Sequence, residues 1–333
     1  MTERDDDRTR AAEAALSRFG FETPGLRPVR MINNVVYEVV RSDSGERFAL
    51  RLHRHGYRSL AQIRSELAFL AAVADDLRGT RIEVPAPVPT SDGALVVEVQ
   101  GDADTWYCDL LTWIDGRVMK HGSGLGPRSC GLLGEGLARI HEAAQTFSLP
   151  AGAELPLWDT DVMFTECSPF GPGSMQDFLS ADAFSLFQEV AERTRAVFEE
   201  LDSIPGQWGI VHNDYVLINT LFRRAGNGWQ LGVLDFDDLG FGYHLYDLAP
   251  LLGNLFDYPD AYRRLPRAFL DGYRSVRALP LGLEVHLPVL MAARHAVTLT
   301  WLAAKKRRGE TDLPIERHVE IRVAEMARCL THS

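Results

Sequence analysis

The sequence predicts an α+β chain in two parts, strand-rich at first and mainly helical afterwards. Three observations carry this. Apolar runs of strand character, bounded by turn residues, recur between Leu26 and Trp113. After Gly116 the apolar spacing becomes that of amphipathic helices, over Gly131–Ala144, Ala181–Leu201 and Leu287–Lys306. Inside that helical part a single strand-like excursion, Gly209–Leu251, delivers an unusual density of carboxylates and amides. The boundary is drawn accordingly, with a first lobe over 1–113 and a second over 114–333.

Taken in order, Thr9–Phe19 spaces Ala, Leu and Phe among charges as a short amphipathic helix does. Leu26–Val40 has strand character, with Asn33-Asn34 as the candidate tight turn of a hairpin, since Asn tolerates the left-handed region better than most residues. Arg41–Gly45 reads as a turn and Glu46–His53 as the next strand. Ser59–Val73 sets Ile63, Leu67 and Leu70 on one helix face. The prolines of Val84–Pro89 exclude a central strand and make a stiff connector. Leu95–Gln100 and Tyr107–Trp113 read as two further strands, the second running into Ile114-Asp115-Gly116-Arg117.

Beyond Gly116, His141 falls on the apolar side of its helix with Leu133, Leu137 and Ile140, which points to a core histidine rather than a base. Thr146–Ser174 is a long aromatic linker, the kind that wraps a core or walls a site. From Tyr262 onward the pattern is helical. Arg294, His295 and Trp301 fit equally a substrate cleft or ordinary surface and core. Lys305–Arg308 reads as a solvated helix C-terminus, favoured there by the helix dipole.

Composition narrows the class. With 333 residues, 46% hydrophobic and 24% charged, the chain is an ordinary globular protein in which no apolar run approaches a bilayer-spanning length. The opening MTERDDDRTR has no signal-peptide core. Four cysteines, Cys108, Cys130, Cys167 and Cys329, form no metal or redox spacing and fit a reducing, cytoplasmic compartment. A net charge of −11 speaks against a nucleic-acid partner. Nothing in the sequence fixes the oligomeric state.

The chemistry is concentrated after Gly209. Gly209-Ile210-Val211 suits a short buried strand, followed by His212, Asp214 and Asn219 in the spacing H-x-D-x-x-x-x-N. A turn at Gly226-Asn227-Gly228 leads to a second apolar run, Trp229–Leu234, which ends in Asp235, Asp237 and Asp238. Hard oxygen donors of this kind, one or two carboxylates completed by phosphates, are what Mg²⁺ requires. A further carboxylate without metal can orient a hydroxyl and take its proton. Any one of these residues alone is an ordinary turn or cap; the fixed spacing with a strand between the two motifs is specific.

This pair of motifs resembles the catalytic and metal loops of the protein-kinase-like superfamily, and within it the aminoglycoside phosphotransferase and choline kinase branch, because the metal loop runs directly into Gly240–Ala249 without an activation segment. The resemblance implies a protein-kinase-like two-lobe fold, a strand-rich nucleotide-binding lobe before a helical catalytic lobe, with ATP and Mg²⁺ as cofactors. It implies Asp214 as catalytic base, with Asn219 and Asp235 on the metal and Asp237 a less certain neighbour. Arg51 falls where such a fold carries its phosphate-binding lysine, and Glu66 where the acid that orients it stands; Leu111, Trp113 and Ile114 fall at the purine-binding hinge. The implied acceptor is a hydroxyl of a small molecule. The cluster Asp237, Asp238, Asp247, Asp257 and Asp260 favours a cationic one (an aminoglycoside, an amino alcohol or a homoserine-like compound), with Asp247 expected to anchor the catalytic loop. A Ser/Thr protein kinase and a non-catalytic nucleotide-binding module are the alternatives. Four positions depart from the branch: no glycine in the first hairpin, Arg51 for Lys, Asn213 where Gly is frequent, and apolar Val216-Leu217-Ile218, which predicts a more buried, stiffer catalytic loop or an impaired enzyme.

Overall fold

The computed structural model describes residues 3–331 apart from 22–24, 32–33, 103, 121–122, 166–167, 172, 227, 257–263, 281 and 311–312. Ile32–Asn33 of the first hairpin, Cys167, Asn227, Asp257 and Asp260 lie outside the described residues. Two compact units alternate along the chain. The first is Met1–Val118 with Thr146–Leu155 and Thr220–Asp237; the second is Met119–Gln145 with Pro156–Asn219 and Asp238–Ser333.

The first unit opens with α1 (Glu3–Arg18), which starts earlier than the apolar spacing alone predicts. The strands β1 (Gly25–Met31), β2 (Val35–Val40) and β3 (Arg47–Leu52) follow, then α2 (Leu60–Asp76), β4 (Ile82–Glu83), β5 (Val97–Gln100) and β6 (Thr105–Thr112). One five-stranded sheet has the order β1-β2-β3-β6-β5, every neighbouring pair antiparallel. Alternation along β3 and β6 sends Phe48, Leu50, Leu52, Cys108 and Leu110 to one face, where Ala12, Ala15, Leu16 and Phe19 close the core. The other face of the same two strands carries Ala49, Arg51, Asp109 and Leu111, and the register sets Arg51 directly opposite Asp109 and Ala49 opposite Leu111. Ser59 caps α2 with Gln62 in a reciprocal capping box. Ile63, Leu67 and Leu70 are buried as the spacing predicts, and Glu66 is buried with them.

The second unit takes up the chain with α3 (Pro127–Thr146), the short α4 (Thr160–Met163) and α5 (Met175–Phe178), the long α6 (Ala181–Asp202), and β7 (Trp208–Val211). The hairpin β8 (Thr220–Ala225) and β9 (Gly228–Val233) belongs to the first unit, where β9 pairs in parallel with β4 to make a second sheet, β4-β9-β8. The two-residue β4 leaves no periodicity to read. Back in the second unit, β10 (Gly240–Tyr243) pairs antiparallel with β7. It leads into α7 (His244–Asp247) and α8 (Ala249–Phe256), with α9 (Arg264–Arg274), α10 (Leu287–Arg307) and α11 (Ile315–Leu330) completing the chain.

Two expectations about α10 need correction. The segment Leu283–Arg307 is long and apolar enough to cross a bilayer by length and composition, whereas no such run was expected; 78% of its apolar window is buried inside the protein, which accounts for its makeup. Lys305 was expected to be solvated with the rest of its basic run. Only Lys306, Arg307 and Arg308 are exposed; Lys305 is buried, its ammonium 2.6 Å from Glu310 and over the Trp301 ring.

Candidate functional site

In the first unit the chemistry lies on the β3/β6 face around Arg51. Its guanidinium lies flat against Asp109, with Nε donating to one carboxylate oxygen and Nη2 to the other, both at 2.9 Å. Nη1 donates to Glu66 at 2.7 Å and to Asp237 at 3.2 Å. The Asp109 carboxylate also accepts from His53 Nε2 at 2.5 Å. Asp237 accepts from Asn34 Nδ2 at 2.6 Å, and its main-chain carbonyl accepts from the Arg58 Nε at 2.8 Å. The expected Arg51–Glu66 pair is thus formed, inside a larger buried network.

Burial opposes the charges of Arg51, Asp109 and Glu66, and its balance against their partners differs from one to the next. For Arg51 the penalty of burial is outweighed by Asp109, Glu66 and Asp237, which raise its pKa further. For Asp109 burial pushes upward, but Arg51 and His53 hold the carboxyl below its usual range. For Glu66 burial wins over the attraction of Arg51 and the carboxyl is raised.

A cavity of about 390 Å³ opens on this face. Val36, Ala49, Pro85, Leu111, Ile114, Leu221 and Leu234 give it apolar walls, and Asn34, Arg51, Asp235 and Asp237 stand among its lining as polar groups. All three hinge residues expected at a purine, Leu111, Trp113 and Ile114, line it. An apolar slot with a few convergent charged groups could hold a nucleotide: apolar walls can take a flat base, a cation can meet phosphate, and carboxylates can hold a phosphate-bound divalent cation. Gly116, on the same rim, has φ 154°, and an added Cβ would stand 3.1 Å from the Phe222 nitrogen and oxygen. That close approach allows the Arg117 and Phe222 main chains to bond at 3.1 and 2.9 Å, tying the segment to β8. Asp235, just past the end of β9, is held at φ 67°, a left-handed conformation that Asp adopts more readily than most residues.

In the second unit the H-x-D-x-x-x-x-N stretch is a loop from β7 into a single 3-10 turn, Leu217–Asn219. Asn219 Nδ2 donates to the Asp214 carboxylate at 2.8 Å and to its carbonyl at 3.0 Å. The other Asp214 oxygen is ion-paired with Arg294 of α10. The loop backbone is anchored by Asp247: its carboxylate accepts from the His212 N–H at 2.8 Å and the Asn213 N–H at 2.7 Å. His141 Nε2 donates to the same carboxylate at 2.9 Å, and the Tyr273 hydroxyl then donates to His141 Nδ1 at 2.8 Å. Burial drives His141 well below its ordinary pKa, in keeping with a neutral ring of that tautomer.

Asn213 lies at φ 64°, which explains both the frequent glycine of the branch and the Asn that replaces it. Its side-chain amide is buried with neither Nδ2 nor Oδ1 bonded. The loop is not uniformly buried as its apolar residues led one to expect, because Ile218 is 65% exposed.

Asp109 and His53 were missed from the sequence, and Arg294 was left open between a cleft and an ordinary position. Asp109 sits in an apolar strand, where the signal was a lone acid at the position facing Arg51; His53 closes the same strand pair; Arg294 interrupts an apolar helix. Of the five acids behind the cationic-acceptor argument, Asp237 is engaged by Arg51 and Asn34, and Asp247 by the loop backbone and His141. Asp257 and Asp260 lie outside the described residues. Among the described residues no group of three or more His, Cys, Asp or Glu could hold a metal ion.

A model of the phosphotransferase enzyme family matches residues 26–279. A homoserine kinase of Bartonella tribocorum is 26% identical over 237 residues, 69% of this chain and 66% of its own length. The structure of a microcompartment-associated aminopropanol kinase superposes with a TM-score of 0.76 at 26% identity, covering 97% of this chain and 95% of that one. An amicoumacin kinase, solved in complex with AMP-PNP, Ca²⁺ and its antibiotic, shares the fold with a TM-score of 0.75 at 17% identity, covering 98% and 93%. A mixed fold with a strand-rich first part and a helical second part is common to these kinase-like proteins and to this chain. With the family model spanning most of its length, the chain belongs to the phosphotransferase enzyme family.

Proposed function

We propose that the chain transfers the γ-phosphate of ATP to a hydroxyl of a small molecule, with Mg²⁺ as cofactor. The observation that carries this reading is the construction around Asp214. A carboxylate that must take a proton at one defined point is held by Asn219 and Arg294 on a loop whose backbone is fixed by Asp247. In the reaction the acceptor hydroxyl gives its proton to Asp214 as its oxygen bonds to the γ-phosphorus. The bridge to the β-phosphate breaks and ADP leaves. Arg51, oriented by Glu66, binds the α- and β-phosphates, and Leu111, Trp113 and Ile114 flank the purine. Residues 1–113 are the nucleotide lobe in this reading and 114–333 the catalytic lobe. Asn219 and Asp235 are the metal ligands by their motif positions. Bound there, Mg²⁺ would neutralise charge on the phosphates.

The relatives support a small hydroxyl acceptor. Homoserine, aminopropanol and amicoumacin are the compounds after which three of them are named. Two of the five carboxylates behind the charge argument, Asp237 and Asp247, are engaged within the protein, so acceptor charge is for experiment to decide. A cytoplasmic location belongs to the same proposal, in keeping with the buried thiols of Cys108 and Cys130. ADP release should be measured with a panel of amino alcohols, amino sugars, hydroxy amino acids and neutral sugars, and with a generic protein substrate. The proposal expects stimulation by one of the small molecules; stimulation only by protein, or by nothing, would overturn it.

A further inference from the structure

Arginine where this branch carries lysine raises a physical problem. A lysine ammonium is a point charge that one carboxylate can set, whereas a guanidinium is a rigid planar fork whose direction depends on which of its edges is held. The structure supplies the missing constraint. Asp109 lies opposite Arg51 across the β3/β6 ladder and takes Nε and Nη2 together, leaving Nη1 for Glu66 and Asp237. Arg51 and Asp237 line the cavity, while Asp109 is fully buried behind them. His53 Nε2 secures the second Asp109 oxygen.

We infer that Asp109 is a positioning residue, the carboxylate that makes arginine workable at position 51 by clamping the guanidinium from behind so that its Nη1 edge faces the cavity. The inference rests on the reading of Arg51 as the phosphate-binding cation. Approach of a phosphate oxygen to that edge would replace the 3.2 Å contact with Asp237, the longest of the four, while the Asp109 fork stays in place.

The inference predicts a reversal that a merely structural acid would not give. A lysine introduced at position 51 in the presence of Asp109 is drawn back between two acids, Asp109 and Glu66, away from the cavity. With Asp109 neutralised, the same lysine needs only Glu66. Arg51→Lys, Asp109→Asn and the double variant should be compared in full-length protein by calorimetric titration with MgATP, with the thermal midpoint of each recorded. Each single change should weaken MgATP about tenfold, the scale of one charged hydrogen bond. The double variant should recover to within about threefold of the parent, since the introduced lysine then pairs with Glu66 alone. A double variant as weak as, or weaker than, both singles would overturn the inference, as would unchanged affinity in Asp109→Asn beside a loss in Arg51→Lys. If none of the three differs from the parent, the phosphate-binding reading of Arg51 falls, and the inference falls with it.

Discussion

Replacing Asp247 by alanine tests how much of the second unit hangs on one carboxylate. In the structure that group is fully buried and accepts three hydrogen bonds, from the main-chain nitrogens of His212 and Asn213 at 2.8 and 2.7 Å and from His141 at 2.9 Å. Alanine removes all three acceptors and leaves three donors in a space that water does not reach. Each orphaned donor costs about 1–3 kcal/mol, so non-additive losses sum to about 3–6 kcal/mol. Against a total stability of about 5–15 kcal/mol, that is enough to leave a sizeable unfolded fraction at ordinary temperature. Urea unfolding followed by far-ultraviolet circular dichroism would measure it, with the slope monitored to confirm that the same surface is exposed. Asp247→Asn, which retains one oxygen acceptor, should lose less than alanine. A loss below about 1 kcal/mol for alanine would refute the reasoning, since it would mean that the loop nitrogens find other partners at little cost.

Four further outcomes are expected. Asp214→Ala should lower turnover by about 10²–10⁴-fold with MgATP affinity retained, and unchanged turnover would remove Asp214 from its role. Asn213→Gly should leave unfolding free energy unchanged or raise it by about 1 kcal/mol, because glycine accepts φ 64° freely and two unbonded polar atoms leave the interior; Asn213→Ala should be the less stable of the two in parallel urea titrations. Gly134→Ala should destabilise strongly, because the new Cβ would stand 1.9 Å from the Phe269 carbonyl oxygen; an unchanged thermal midpoint would contradict the close approach of α3 and α9. Burial depresses His244 to about 2 and His295 to about 3, and His141 well below its ordinary value, so the unfolded chain binds more protons below about pH 6.5. Stability should therefore be complete above that pH and fall as pH drops toward 3, by about 1.4 kcal/mol per unit for each such histidine; a flat urea midpoint between pH 7 and 5 would contradict this.

Much of the fold was legible because its elements carry strong local signals. The apolar face of α2 and the apolar stretches that became β6 and β9 each agree with their tertiary setting. What escaped was decided by pairing between distant segments. The two-residue β4 exists only because β9 lies beside it. Glu66 is expected beside Arg51 by the resemblance and is found there, whereas Asp109 reads as an anomaly in an apolar strand until the β3/β6 register is known. Asn213 departs from the glycine that is frequent in the branch. Its left-handed backbone shows that Asn serves at a position where glycine is frequent. Lys305 escaped, and Arg294 stayed open between two readings, for the opposite reason: a charge on an apolar helix has no local signal for whether it faces solvent or a buried acid. Both meet acids, Glu310 and Asp214.

The central claim is that this chain moves a phosphoryl group onto a small-molecule hydroxyl through Asp214. Transfer of label from γ-³²P-ATP to an acceptor found by the ADP-release screen, followed by chromatography in parallel for the parent and Asp214→Asn, tests it most directly. The expected outcome is a labelled phosphate ester from the parent, formed in step with ADP, and essentially none from the variant although it still binds MgATP. Label released only as inorganic phosphate, or ester formed equally well by Asp214→Asn, would contradict it.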